Sequence, residues 1–153
     1  MKLQEILLES CVIDNIAAST KNDAIYELCG ALKKAGLINN VQEVVDIIIE
    51  RERLGSTGIG EGIAIPHGKM KGIKNILCAI GKSSKGIDFD AIDKKPVNII
   101  FLLLAPEGSA SMHLKMLSRI SKILRDHSIR KRLLELKDAH EIYSYIIEED
   151  SKI

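Results

Sequence analysis

The spacing of apolar residues in the first third of the chain predicts two amphipathic helices. The first has Ser19 or Thr20 as its candidate N-cap and Gly36 as its stop signal, and the second begins after Asn40 and continues to about Leu54. In both segments the apolar residues recur at helical spacing, which places them on one face. These faces comprise Ile25, Leu28, Cys29, Leu32, Leu37, Val44, Ile47 and Ile48.

Uninterrupted aliphatic segments farther along the chain predict buried strands. Val97 to Ala105 is the clearest of them, because a central strand covered on both faces shows no polar alternation. Asn75 to Gly81 is a second candidate, and Ser83 to Gly86 is interpreted as the turn that follows it. At the N-terminus, residues 2–8 predict a short helix and Cys11 to Ile13 a brief strand.

The last third of the chain is predicted to be helical. A loop after the central strand leads into an amphipathic helix capped by Ser109 or Ser111, and shorter helices are expected at Ser128 to Leu136 and Ala139 to Ile147. No linker or internal repeat interrupts the pattern. We therefore expect a single α/β domain over residues 1–153, with a mixed β-sheet flanked by helices on both faces.

Composition narrows the class of function. Hydrophobic residues make up 46% of the chain and aromatic residues 3%, so the core should be aliphatic, and the net charge of +1 gives no global field for nucleic acid. The basic segment from Lys115 to Arg132 lacks aromatic residues that could stack on bases, so we interpret it as solvated helix faces. The N-terminus alternates apolar and charged residues too early for a signal peptide, so we expect none. The longest apolar run, Ile99 to Ala105, is too short to span a bilayer. We expect a cytoplasmic protein with no nucleic-acid partner and no membrane insertion.

The cysteines and two of the histidines fit no chemical motif. Cys11, Cys29 and Cys78 are odd in number and far apart, which argues against a disulfide framework and favours three small buried hydrophobes. His127 and His140 are expected on the surface. No spacing of histidine, cysteine and carboxylate residues suggests a metal site.

The glycine-rich stretch of residues 55–68 is the candidate functional site. Its glycines allow close approach of the backbone to a ligand, and Ser56 and Thr57 add hydroxyl groups, so one interpretation is a concave anion-binding nest. The other interpretation is a flexible turn that carries an incidental histidine. Pro66 restricts the backbone before it and fixes how His67 leaves the preceding segment, which favours a rigidly presented imidazole.

Several segments of the chain together form a composite motif. They are Arg51-Glu52, Gly55 to Gly60, Ile63 to Gly68, Gly86 to Asp90, Pro96 to Pro106 and His113-Leu114. No nucleotide fingerprint accompanies them, since Glu61 stands where a phosphate-binding loop needs its lysine. These segments resemble the enzyme IIA proteins of the bacterial phosphotransferase system, in the fructose, mannitol and nitrogen-regulatory class. The resemblance covers nearly the whole chain and is closest to the nitrogen-regulatory branch.

The resemblance implies a phosphotransferase in which His67 is the phosphorylated nucleophile. In the family, the histidine of the Pro-His-Gly motif accepts a phosphoryl group from the phosphohistidine of an HPr-type carrier. A histidine with a pKa of about 6.5 is largely neutral at cytoplasmic pH and offers one lone pair. The donor bond is already high in energy, so no nucleotide, metal or other cofactor is implied, and the protein supplies positioning and charge stabilisation.

Other residues match the family's active site. His113, expected in the first turn of a helix, would donate a hydrogen bond to a phosphoryl oxygen or to His67. Arg51 would stabilise the negative charge during transfer, and Glu61 would orient a histidine or an amide. The predicted phosphoryl-binding loop consists of Gly55, Ser56, Thr57 and Gly58.

The resemblance is compatible with three functions. The first is a relay that passes the phosphoryl group to a IIB domain and then to a sugar. The second is a regulatory protein whose phosphorylation state controls soluble partners, and the third is an inactive interaction module. The chain ends at Ile153 without a IIB-like cysteine module or a transmembrane region, which is compatible with relay and regulation. The third is weakened because all four matching site residues are present, and regulation is favoured.

Overall fold

The computed structural model describes all residues from Met1 to Ile153 and contains one six-stranded sheet and five α-helices. The strands are β1 (Leu7–Ile13), β2 (Gly58–Gly60), β3 (Ile63–Ala64), β4 (His67–Met70), β5 (Leu77–Ile87) and β6 (Val97–Pro106). The helices are α1 (Lys21–Lys34), α2 (Val41–Glu52), α3 (Ala110–Leu124), α4 (His127–Glu135) and α5 (Ala139–Ser151). The order of helices and strands confirms the predicted α/β class.

Strand β6 organises the sheet. It pairs with β5 on one edge in the antiparallel direction and with β3 and β4 on the other edge in the parallel direction. At the two ends of the sheet, β1 pairs with β5 in the parallel direction and β2 pairs with β3 in the antiparallel direction. The sheet is therefore mixed, as predicted. The side chains of β6 are almost all buried, as its aliphatic composition requires of a central strand.

Helices cover both faces of this sheet, as predicted. Two consecutive residues of β5 show it, because neighbouring side chains in a strand point to opposite faces. A Cβ atom built on Gly81 would lie 3.3 Å from Leu28 of α1. The ammonium group of the next residue, Lys82, instead donates to the carbonyl groups of Leu133 and Leu134 at the end of α4.

Side-chain caps fix the starts of four helices. Thr20, one of the two predicted caps, accepts a hydrogen bond from the Asp23 amide, and Asn40 accepts one from the Glu43 amide. Asp126 and Asp138 cap α4 and α5 in the same way. These caps satisfy amide groups that have no partner within the helix.

Two predicted elements are wrong. Residues 2–8 do not form a helix: a single 3₁₀ turn covers Leu3–Glu5, and β1 begins at Leu7 because the segment pairs with β5. Residues 83–86 are not a turn after the strand but part of β5, where the register shifts between Lys82 and Ile87. Ser83 supports this irregular segment, since its hydroxyl accepts a hydrogen bond from the Gly86 amide and its carbonyl accepts one from the Asn98 side chain.

The three cysteines are free and buried, as predicted. Burial raises the pKa of each thiol, and that of Cys29 to about 12, so they behave as small apolar side chains. None of the five helices combines the length and the apolar character that crossing a membrane requires.

Candidate active site

The candidate site lies where a nearly continuous segment runs beside β6. Ile63 pairs with Ile99 in β3, and His67 pairs with Leu103 in β4, both in parallel. The two short strands are separated at Pro66, which has no amide to donate but whose carbonyl accepts a hydrogen bond from the Leu103 amide. His67 therefore enters the site as the first residue of a strand anchored to the centre of the sheet.

The tautomer of His67 follows from one hydrogen bond. Its Nδ1 lies 2.8 Å from the carbonyl oxygen of Ile65, and a carbonyl oxygen can only accept, so Nδ1 carries the proton. Burial lowers the pKa of His67 below its usual value, and the Arg51 charge lowers it further, whereas the Ile65 carbonyl and the Glu52 carboxylate act in the opposite direction. The ring is thus held neutral, with the lone pair of Nε2 free.

His113 lies against His67 at the start of α3. The two ring centroids are 5.3 Å apart and the ring planes meet at 78°, an edge-to-face arrangement. His113 is 5% exposed, and its Nε2 has no hydrogen-bond partner. Burial, with smaller contributions from His67 and Lys69, lowers the pKa of His113 to about 4, so this imidazole is neutral as well. An unsatisfied polar atom buried beside a second histidine points to a ligand that would complete it.

The N-terminus of α3 is also open toward a ligand. Ser109, one of the two predicted caps, is the N-cap residue, but its hydroxyl donates to the Pro106 carbonyl and does not cap the helix. The first-turn amide groups are therefore left for another acceptor, and the partial positive charge of a helix N-terminus favours an anion there.

A cleft of about 870 Å³ connects these groups. We call it the His67 cleft; its lining includes Arg51 in the last turn of α2, Leu54 just after this helix, His67 and Lys69 on β4, and His113 and Leu114 on α3. Two cations and two neutral imidazoles thus face the same space, which suits a doubly charged phosphoryl group. Asp46 and Glu50 of α2 also reach its edge.

Gly68 allows α2 to approach β4. A Cβ atom at this position would lie 2.7 Å from Cγ2 of Ile47 and 3.4 Å from Cδ1 of Ile48, so any larger residue would displace the helix or its side chains. The glycine of the Pro-His-Gly motif is therefore needed for packing, and this packing brings the end of α2, with Arg51, to the cleft.

The structure does not bring the predicted phosphoryl-binding loop to the cleft. The Ser56 hydroxyl donates to the Phe89 carbonyl at 2.7 Å, and the buried Thr57 hydroxyl bonds to the Glu52 carboxylate. Neither hydroxyl is free for an anion, and Gly55 and Gly58 are not among the residues that line the cleft. The carbonyl of Gly55 instead accepts a hydrogen bond from Nη1 of Arg51 at 3.0 Å.

Glu61 also lies outside the His67 cleft. Its exposed carboxylate pairs with Arg130 of α4 at 2.7 Å, and its amide donates to Asp93. Its backbone has φ of 61°, in the left-handed region that non-glycine residues rarely adopt. Thus, of the predicted site residues, the structure brings together His67, His113 and Arg51 and leaves Glu61 in a separate interaction.

Two residues of the site were not found from the sequence. Lys69 lines the cleft, and its only signal was its place two residues after His67, on the same face of a strand. Glu52 is buried and bonds to Thr57 of the glycine-rich stretch, and its signal was its place next to Arg51 in the matched segment. His127 and His140, predicted on the surface, are exposed.

Comparison with known proteins identifies the family. The family described as "Phosphoenolpyruvate-dependent sugar phosphotransferase system, EIIA 2" matches residues 5–149. A nitrogen regulatory protein of Bradyrhizobium diazoefficiens is 38% identical over 147 residues, which cover 95% of each chain. The fructose-specific EIIABC component of Bacillus subtilis is 39% identical over 150 residues, which cover 98% of this chain and 24% of that one.

A solved structure supports the same family assignment. The crystal structure of the nitrogen regulatory protein IIA-Ntr from Neisseria meningitidis superposes with a TM-score of 0.87 at 34% identity and covers 94% of this chain and 98% of that one. The chain therefore belongs to the EIIA type 2 family of the phosphoenolpyruvate-dependent sugar phosphotransferase system.

Proposed function

We propose that this protein accepts a phosphoryl group on Nε2 of His67 from an HPr-type phosphohistidine carrier and then gives it up to a protein partner. The observation that carries the proposal is the hydrogen bond from Nδ1 of His67 to the Ile65 carbonyl, because it leaves the lone pair of Nε2 free on a residue that lines the cleft. The bond between phosphorus and the donor nitrogen breaks as a bond to Nε2 forms. The donor imidazole leaves with the electron pair, and His67 retains its proton on Nδ1.

The groups around His67 suit the charge of the transferred group. The Arg51 guanidinium and the Lys69 ammonium would offset the charge of the phosphoryl oxygens. Nε2 of His113, which has no partner, would donate a hydrogen bond once its neutral ring carries the proton there. The Ile65 carbonyl stabilises the positive charge that the His67 ring gains on phosphorylation. The proposed transfer thus relies on positioning and electrostatics.

A phosphorylation assay tests the assignment. Incubation with phosphoenolpyruvate, enzyme I and an HPr-type carrier should add one phosphoryl group, as measured by intact-mass spectrometry. His67→Ala should abolish the gain, whereas His140→Ala, at an exposed histidine on another part of the molecule, should not. The phosphoramidate should be lost in acid and survive alkali. A His67→Ala variant that still gains the phosphoryl mass would show that the acceptor is another residue.

We further propose that phosphorylation regulates a soluble partner. The nitrogen regulatory relatives support this role, since they match over nearly their full length. Leu54 and Leu114 line the same cleft as His67 and are 84% and 68% exposed, which suits a partner with an apolar face. Phosphorylation adds nearly two negative charges beside them. A partner fitted to the neutral face would then have to desolvate a dianion, so its affinity should fall sharply.

The transport relay is the second candidate, and the 39% identity to part of a fructose-specific EIIABC component favours it. A pull-down with wild type, His67→Ala and His67→Asp, alongside a sugar-phosphorylation assay with membranes, separates the two roles. Regulation predicts a soluble protein that binds wild type and His67→Ala and is released by phosphorylation or by His67→Asp. Rapid sugar phosphorylation that depends on this protein, without such a partner, would assign it to transport.

A further inference from the structure

Glu52 is a buried carboxylate next to Arg51 in the sequence. It ends α2 and is only 8% exposed. A buried carboxylate is unfavourable unless it is paired and hydrogen-bonded. Here the Lys21 ammonium lies 2.7 Å away, and Thr57 donates its hydroxyl and its amide to the same carboxylate. Lys21 is itself largely buried and lies over the ring of Phe89.

A continuous path of hydrogen bonds leads from this carboxylate to the nucleophile. The carbonyl of Thr57 accepts a hydrogen bond from the Ile65 amide at 3.1 Å. The carbonyl of Ile65 accepts the hydrogen bond from Nδ1 of His67 at 2.8 Å. The residue that Glu52 holds therefore supports Ile65, whose carbonyl sets the orientation and the tautomer of the reactive ring.

The same carboxylate also supports the loop to which the Arg51 side chain is hydrogen-bonded. The bonds between Glu52 and Thr57 close the loop of residues 53–57, which follows α2. Within this loop, the Gly55 carbonyl accepts a hydrogen bond from Nη1 of Arg51. Glu52 thus lies at the point from which both the arginine and the histidine of the cleft are oriented.

We propose that Glu52 is a positioning residue for phosphoryl transfer: by holding Thr57 it fixes His67 and Arg51 relative to each other. It lies below the loop, does not line the cleft and acts only through its neighbours. This inference rests on the proposed role of His67. It also gives the glycine-rich run a function different from an anion nest, namely as a scaffold whose hydroxyl groups point inward.

A pair of substitutions at Thr57 tests the path. Thr57→Val keeps the shape of the side chain but removes the hydroxyl that binds Glu52, and Thr57→Ser restores it. The valine variant should accept the phosphoryl group about tenfold more slowly, because misplaced reacting groups lose rate steeply, and the serine variant should be near wild type. Nitrogen NMR of the His67 ring should show a weaker Nδ1–H signal of the neutral tautomer in the valine variant only.

Glu52→Gln tests the charge. Because the carboxylate raises the pKa of His67 and the Arg51 guanidinium lowers it, the glutamine variant should show a still lower pKa for His67 by NMR titration. Asp150→Asn is the matched control, since Asp150 is a carboxylate buried to a similar degree that binds Arg119 and the Leu3 amide away from the cleft. It should leave the His67 resonances and the transfer rate unchanged.

The proposal is overturned if folded Thr57→Val and Glu52→Gln variants transfer at the wild-type rate with unaltered His67 resonances. If Glu52→Gln does not fold, the Thr57 pair decides alone. The ring resonances can be measured without any donor protein. A wild type that takes up no phosphoryl group would therefore contradict the proposed function, while the NMR comparison would still test the positioning of His67.

Discussion

His67 and His113 both line the cleft, but they differ in burial and in hydrogen bonding. His67 has its Nδ1 satisfied by the Ile65 carbonyl and is half-buried, so one nitrogen is fixed and the other is accessible. His113 is more deeply buried, and its Nε2 has no partner. This difference matches the proposed roles, in which a partner protein must reach His67 and His113 meets the phosphoryl group only after it arrives.

The buried neutral His113 should make stability depend on pH. Its folded pKa of about 4 lies below the value of about 6.5 expected in the unfolded chain, so between these values the unfolded state binds more protons. The free energy of unfolding should therefore fall as the pH drops below about 6.5 and level off below about 4, by on the order of 3 kcal/mol.

Urea unfolding of wild type and His113→Gln at several pH values measures this effect. The glutamine variant cannot titrate at this position, so the difference between the two curves isolates His113 from the other ionisable groups. Stability curves that stay parallel from pH 7 to pH 4 would show that His113 is protonated as readily in the folded protein as in the unfolded chain.

At the scale of helices and strands, we expect a glycine-to-alanine substitution to have opposite effects on stability at Gly68 and at Gly30. Gly68→Ala should destabilise the protein by about 1–3 kcal/mol and slow phosphorylation, since the added Cβ collides with the β-branched Ile47 and displaces α2 with its Arg51. Gly30→Ala should stabilise it by about 0.5–1 kcal/mol, because Gly30 lies inside α1 with open space around its Cβ position. Thermal unfolding and the phosphorylation assay measure both variants. Equal effects of the two substitutions on stability would disprove the packing role of Gly68.

The elements that were predicted correctly have signals within their own sequence. Helix α2 has its cap at Asn40 and an apolar face, and β6 is an aliphatic run. The errors occurred where pairing with a distant strand decides the structure. Leu7 belongs to a strand because it pairs with Cys78, and Ser83 remains in β5 because it bonds to Asn98 of β6. Nothing near Leu7 or Ser83 in the sequence indicates these partners.

At the scale of the whole molecule, the candidate site shows the same difference between local sequence signals and distant contacts. His67, His113 and Arg51 could be proposed from short motifs, and the fold brings all three to one cleft. The partners of the loop hydroxyls and of Glu61 could not be predicted in this way. Ser56 bonds to Phe89 and Glu61 to Arg130, each across a long separation in the sequence. A motif identified which residue types the site contains, whereas the direction of each side chain depended on the folded molecule.

The parallel pairing of β4 with β6 also has a consequence for synthesis on the ribosome. His67 is anchored through Leu103, and the cleft closes only when α3 brings His113 against it, so the groups come from residues 51 to 113. A nascent chain that has emerged only as far as β4 carries the Pro-His-Gly motif without its supporting strand. The ability to carry a phosphoryl group should therefore arise late in translation, once α3 has left the exit tunnel, and partly made chains would not withdraw phosphoryl groups from the donor.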